Sequence, residues 1–508
     1  MDSTITEPST EPRSRRSFFF LGALAAAAFA PRTARAQGSR IKRVVPRTGP
    51  SGAIIPQEAG AAPAAWKDTQ TRLVRRATFG ATAEDVLDVK RRGYQGYLLR
   101  QLQHTRIDDS VVEAAVAAKF PLLSQTGEQL AAANGGTVQS QLQQATIFRA
   151  VASQRQLYER MVEFWSDHFN IAISNVGYLK VLDDRNVIRP YALGKFRDLL
   201  RASAHSPAMM DYLDQNQSRA VAPNQNYARE IMELHTLGVD GGYSQTDVAE
   251  LSRVLTGWTI RGKGEFYFDP NIHDWKAKTV LGVTIPAGSP ALGQEGIKEG
   301  EMMLDVLVNH PSTAKYIATK MLKWLLTAEP SAAQISIVAG VYRSTGGDIA
   351  RMVRAILNDA WLGSAPAKLK RPFHYLVSSV RALSPVLTTT DTLNGQLNGM
   401  GQPLFLWDTP DGYPDKVEYW AGNILPRWNF ANALSVMKTA SVSVDSAPFA
   451  VGGVDGALGT MNQRIFAGEM SATTSGFLRT YLSAATFTDA RLRETMALAM
   501  SSSDFQWY

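Results

Sequence analysis

The chain has 508 residues, 45% of them hydrophobic and 19% charged, with 10 Trp and 16 Tyr, a composition that buries a sizeable core and excludes disorder along its whole length. The formal net charge is +7; setting aside the five arginines and three acidic residues of positions 1–36 leaves 48 basic and 43 acidic groups, +5, scattered without a basic run interleaved with aromatics, which excludes nucleic acid as the main partner. The absence of cysteine excludes disulfides, iron–sulfur clusters, thiolate zinc sites and a cysteine nucleophile.

Residues 1–36 are expected to be a signal peptide. Ser14-Arg15-Arg16-Ser17-Phe18-Phe19 precedes an apolar run to Ala30 and the small-residue end Ala34-Arg35-Ala36. The paired arginines give it twin-arginine form, and the 13-residue run from Phe18 to Ala30 falls short of the ~20 needed to span a bilayer. The expected location is therefore the periplasm or beyond, reached by the twin-arginine route, with no transmembrane segment in the mature chain. Residues 37–67, rich in Pro, Gly and Ala, form a linker. Residues 68–508 are expected to form one large, mainly α domain of many helices, with a small β-hairpin element and an irregular C-terminal section.

Within that domain, Thr71–Phe79 has the pattern of a short helix stopped by Gly80, and Thr82 to Asp85 has capping-box form ahead of a helix through Leu102. Over Leu157–Asn170, about 100° per residue puts Glu159, Glu163, Ser166, Asp167 and Asn170 on one side. Met161, Val162, Phe164, Trp165 and Phe169 fall on the other, and His168 falls inside this apolar arc. The stretch 223–258 is the densest in ionisable groups. Asn226 is the expected N-cap and Gly238 the C-cap; Glu230 and His235 point inward, while Arg229 and Glu233, four apart, pair outside. Ser244 to Asp247 is a second capping box. Beyond Trp258, residues 265–269 and 278–282 are expected strands around the His273-Asp274 loop. Helices resume over 296–326, 351–357 and 372–383, residues 385–470 are irregular, and a last helix runs from a Thr488 cap to Met500.

There is no phosphate loop, no HExxH pair and no nucleophile elbow. Three clusters carry the chemistry: Glu163, Asp167 and His168; Asn224, Glu230, Glu233 and His235; His273, Asp274 and Lys278. Inward histidines beside carboxylates suit general acid–base work, because burial moves both toward neutrality. The catalytic candidates are His168, Glu230, His235 and His273, supported by Glu163, Asp167, Asn224 and Asp274. His168, His235 and His273 are equally the candidate ligands of a divalent metal ion, the one cofactor the pattern suggests. The bland alternatives are hydrogen-bonded core histidines, a solvated face for Glu159 and Glu163, and loop chemistry for His273-Asp274. The aromatic loops 407–413 and 419–420 can stack on sugar rings or pack beneath the irregular segment.

The segments RATFG (76–80), ERMVEFWSDHFNI (159–171), NQNYAREIMELHTLGVDGGYSQTDVAELSRVLTGW (224–258), FDPNIHDWKAKTVLG (268–282) and GQPLF (401–405) together resemble the large bacterial domain-of-unknown-function family 1800. The resemblance implies an exported, largely helical bacterial protein, and as a natural partner a co-exported sulfatase-like protein; it implies no established reaction. The chain departs from the family phrase at Gln225, where a glutamate is expected, and at Gly412-Tyr413, where Gly-Trp is usual. The leading expectation is a periplasmic hydrolase of an envelope or extracellular polymer such as a polysaccharide. The alternatives are a non-catalytic envelope binding or assembly protein and a metal-dependent oxidoreductase.

Overall fold

Helix punctuation in the sequence carries most of the architecture. The computed structural model describes residues 66–508, so the expected signal peptide and nearly all of the expected linker lie outside the described residues. Contacts join residues 66–508 into one unit. Thr82 and Ser244 both form complete capping boxes, each hydroxyl accepting the amide of the acid three residues on and each acid accepting the cap amide in return. They start the helices Ala83–Leu102 and Gln245–Val254, and Thr488 caps Asp489–Ser501. Gly80 bears a positive φ of 149° just beyond the helix Thr69–Ala77. No described helix is long and apolar enough to cross a membrane.

Four expectations are corrected. Asn224, not Asn226, is the N-cap of the 225–230 helix: its side chain accepts the Asn226 amide at 2.8 Å. That helix continues as a π-helical turn, Ile231–Thr236, in which the Leu237 amide donates to the Met232 carbonyl at 2.7 Å and the Thr236 hydroxyl to the Ile231 carbonyl at 2.6 Å. Widening the turn breaks the four-residue register, and Arg229 and Glu233 do not pair. Arg229 donates to Gln245 at 2.8 Å, and Glu233 accepts from the Tyr243 hydroxyl at 3.1 Å. The strands around His273 do not pair with each other. Glu265–Phe268 pairs antiparallel with Trp258–Arg261, and Lys278–Val280 with Val283–Ile285, because each has its own short turn. The section 385–470 has long loops but also carries Asp391–Gly399, Ile424–Ser435 and Gly453–Ile465; Ile424–Ser435 packs on Asp489–Ser501.

The interior divides into two large hydrophobic clusters. One is built from Leu73 to Ala365 and includes Trp165, Phe196, Trp258 and Trp324. The other is built from Phe373 to Phe505 with Phe79, Ile147 and Ala150. Phe405 packs against both. Helix Gln156–His168 lends its apolar side to the first cluster, and its polar side faces the start of helix Pro372–Leu383. A seam of polar groups therefore runs between two apolar masses, the setting in which concave sites form.

The π turn ends at Gly238, whose φ of 84° is left-handed; a Cβ there would lie 2.8 Å from Cδ2 of Tyr316. Gly238→Ala is expected to lower stability by about 2 kcal/mol, from backbone strain with a displaced Tyr316 ring, read as a lower urea midpoint at unchanged slope.

Candidate functional site

Glu159, Glu163 and Asp167 recur every fourth residue along helix Gln156–His168 and share one face. The solvated face expected there is instead internal. Glu159 is buried and takes a bidentate pair from Arg189, at 3.1 and 3.0 Å, and Arg189 also donates from Nε to Asp184 at 2.9 Å. Glu163 and Asp167 share Arg371, whose Nη2 donates to Glu163 Oε1 at 2.5 Å and whose Nη1 donates to Asp167 Oδ2 at 2.7 Å. Arg371 precedes Pro372, and the proline ring holds it extended at φ −64° and ψ 161°. Its guanidinium lies over Trp324, with Cζ 4.5 Å from the ring centroid.

The loop 407–413 closes onto this pair. Asn170 Nδ2 donates to the carbonyls of Trp407 and Thr409 at 2.9 and 2.7 Å, and the Tyr413 hydroxyl donates to the Pro403 carbonyl at 2.5 Å. Gly412, at φ 74°, lies against the end of the helix; a Cβ there would stand 2.1 Å from the Asp167 carbonyl oxygen. Trp407 Nε1 and the Thr409 hydroxyl both donate to Asp411 Oδ1, at 3.0 and 2.5 Å. Trp407, Tyr413, Tyr419 and Trp420 pack mainly on one another, with centroids 4.6 to 6.1 Å apart, and Tyr419 alone of them is counted among the exposed large hydrophobics.

Between this loop and helix Pro311–Leu325 opens a cleft of about 880 Å³. Asp167, Lys320, Trp324, Arg371, Asp411 and Tyr413 are among the residues that line it. The Asp167 side chain keeps 22% of its surface. Burial pushes its carboxyl up to about 6; Arg371 pulls down and the like charge of Glu163 pushes further up. Lys320, half-buried, is brought down to about 8 by desolvation, against the pull of Asp167 and Asp411. An acid and an amine poised on either side of neutrality thus face one cleft.

The candidates named from sequence distribute over three places. His168 and His235 do come together, with ring centroids 6.1 Å apart, but inside an aromatic shell of Phe164, Trp165, Phe169, Phe196 and Tyr316; both are 1% exposed. His168 Nε2 donates to the His235 carbonyl at 3.1 Å and the Tyr316 hydroxyl to the Leu234 carbonyl at 3.0 Å. The two side chains satisfy carbonyls that the end of the π turn would otherwise leave unpaired. His273 shares none of these neighbours. It joins the Thr256 carbonyl through Nδ1 at 2.6 Å and Glu299 through Nε2 at 3.2 Å, beside Lys278; Asp274 takes Arg253 at 2.7 Å. Asn224 is occupied by its capping role. Glu230 is half-buried, its carboxyl raised by burial and by the charges of Glu233 and Asp411, which puts it within electrostatic reach of the cleft loop. The four catalytic candidates therefore do not converge on one accessible pocket. Among the described residues no three His, Asp or Glu side chains are placed to hold a metal ion, so the expected ligand set does not fit one. Arg371, Lys320 and Asp411 escaped the sequence reading. The signals for the first two were an Arg-Pro pair at a helix start and a lysine one turn before Trp324 on the same face; Asp411 lies within the aromatic loop 407–413, which drew notice for its rings alone.

Replacing Arg371 by Met leaves two buried carboxylates without their cation and is expected to cost about 3–5 kcal/mol in urea unfolding at pH 7, and much less at pH 5, where Asp167 takes up a proton. Burial holds both histidines below the ordinary 6.5, His235 down to about 3. A neutral ring in the folded state stabilises above the unfolded value and ceases to as pH falls, so stability should decline from pH 6.5 toward 3. His235→Phe should flatten that decline in a pH series of urea midpoints.

The family described as Protein of unknown function (DUF1800) matches residues 72–507, and the chain belongs to that family. No curated protein and no solved structure matches the chain.

Proposed function

We propose that this family member is an exported hydrolase of an envelope or extracellular polymer such as a polysaccharide, with its reaction centre in the aromatic cleft and not at the buried histidines. The observation that carries the reading is that Asp167, Lys320 and Asp411 line one cleft of about 880 Å³ whose wall includes Trp324 and Tyr413. A pocket of that size, with aromatic walls and a few polar groups, suits a sugar-sized ligand. Asp167, with its carboxyl raised to about 6, has the character of a general acid able to protonate a leaving oxygen near neutral pH. Asp411, held by Trp407 and Thr409, would supply the second carboxylate that activates water or stabilises positive charge. Lys320 would hydrogen-bond substrate hydroxyls or compensate negative charge. Export rests on the Arg15-Arg16 segment and its apolar run.

A second reading is favoured by the engagement of Asp167 with Arg371 at 2.7 Å, an arrangement that also serves a rigid binding surface. In that case the cleft holds a polymer without cleaving it, or receives a co-exported sulfatase-like partner.

Purified protein incubated with a panel of envelope polysaccharides is expected to release reducing ends. Asp167→Asn should lower the rate by a factor of about 10²–10⁴, and His235→Gln should leave it near the parent value in the folded fraction. Equal loss in both variants, or polymer retention in pull-down without release of ends, would overturn hydrolysis at the cleft.

A further inference from the structure

A second and much smaller cavity, of about 30 Å³, shares Asp167, Arg371 and Tyr413 with the cleft as lining residues. Glu163, Ser166, Asp167, Asp184 and Arg371 are among its lining residues. Four buried polar atoms of these side chains make no hydrogen bond to any protein group: Glu163 Oε2, Ser166 Oγ, Asp184 Oδ1 and Arg371 Nε. Arg160 Nη1 stands 4.0 Å from the free Glu163 oxygen, too far for a hydrogen bond. Arg371 and Asp184 are each nine-tenths or more buried and Ser166 is 8% exposed. An unpaired buried donor or acceptor costs roughly 1–3 kcal/mol, so four on side chains that line one cavity call for a common partner.

The chemistry of the four atoms selects that partner. Two are carboxylate oxygens that only accept, one is a guanidinium N–H that only donates, and one is a hydroxyl that does both. A cation satisfies the carboxylates but cannot accept from Arg371 Nε; an anion satisfies the guanidinium but is repelled by the carboxylates. Water accepts from one and donates to the others. About 10–15 Å³ of such volume accommodates one molecule, so this cavity has room for two.

We infer that this cavity is a two-water site joining Glu163, Ser166, Asp184 and Arg371 to Asp167, which borders both it and the cleft. The bound water solvates the Asp167 carboxylate from the small cavity and links it by hydrogen bonds to the carboxylates of Glu163 and Asp184. Asp167 thereby has a proton path into the protein as well as one to solvent. The site stands whether or not the cleft hydrolyses anything, because it is read by density and by titration and not by turnover.

A high-resolution crystal structure of residues 66–508 in the full chain is expected to contain two ordered waters within hydrogen-bond distance of those atoms. Ser166→Val should fill the space and displace at least one of them. Carboxyl ¹³C NMR should then place the Asp167 titration about half a unit or more above that of the parent, since a carboxylate stripped of water is harder to ionise. Ser166→Ala, which removes one partner without filling the cavity, should fold even where valine does not and should shift the titration less. A dry cavity would overturn the inference, as would an anomalous peak there after soaking in a rubidium salt. So would an Asp167 titration that stays in place while the water is lost.

Discussion

Two carboxylates one helical turn apart, with their backs to a hydrophobic core, repel each other and resist desolvation. Arg371 resolves that conflict, and the seam between the two cores depends on it. Its forked geometry lets one guanidinium face both Glu163 and Asp167, and its flat face lies on Trp324. A lysine would supply the charge but neither the second parallel donor nor the stacking surface. Because the arginine begins the helix of the second core and the carboxylates ride on a helix of the first, this side chain ties the two helices together, beside the contact of Arg160 with His374 at 2.7 Å.

The position of the chemistry follows from the same geometry. Polar groups inside this protein fall into those that finish secondary structure and those that face space. His168 and Tyr316 belong to the first kind, as they complete the carbonyls at the end of a helix that runs out of partners. Asp167 and Lys320 belong to the second. An inward histidine beside a carboxylate is thus as much a mark of a difficult helix end as of catalysis, and only the presence of accessible volume separates the cases.

Local signals in the chain were legible in proportion to how local their cause was. Both capping boxes and the buried placement of His168 depend on residues within a turn of each other, and each is present as read. The π turn was not legible, because an inserted residue changes the very periodicity by which a helix is recognised. The pairing of the strands depended on which turn was shorter, and alternation along one strand is silent about that. Arg371 stands 204 residues from Asp167, and no spacing rule connects them. Glu159 and Glu163 looked solvated because a wheel distinguishes polar from apolar faces but cannot tell water from a second layer of protein.

The contact of Gly412 with the Asp167 carbonyl is one of main chain against main chain, so at this point the loop above the cleft is seated by its backbone. Such a seat has no room for a Cβ: any side chain at position 412 would lift the loop off the helix end and widen the cleft. The width of the cleft is therefore set at a backbone contact, while Asp411 and Tyr413 on either side of it present the side chains that line the space.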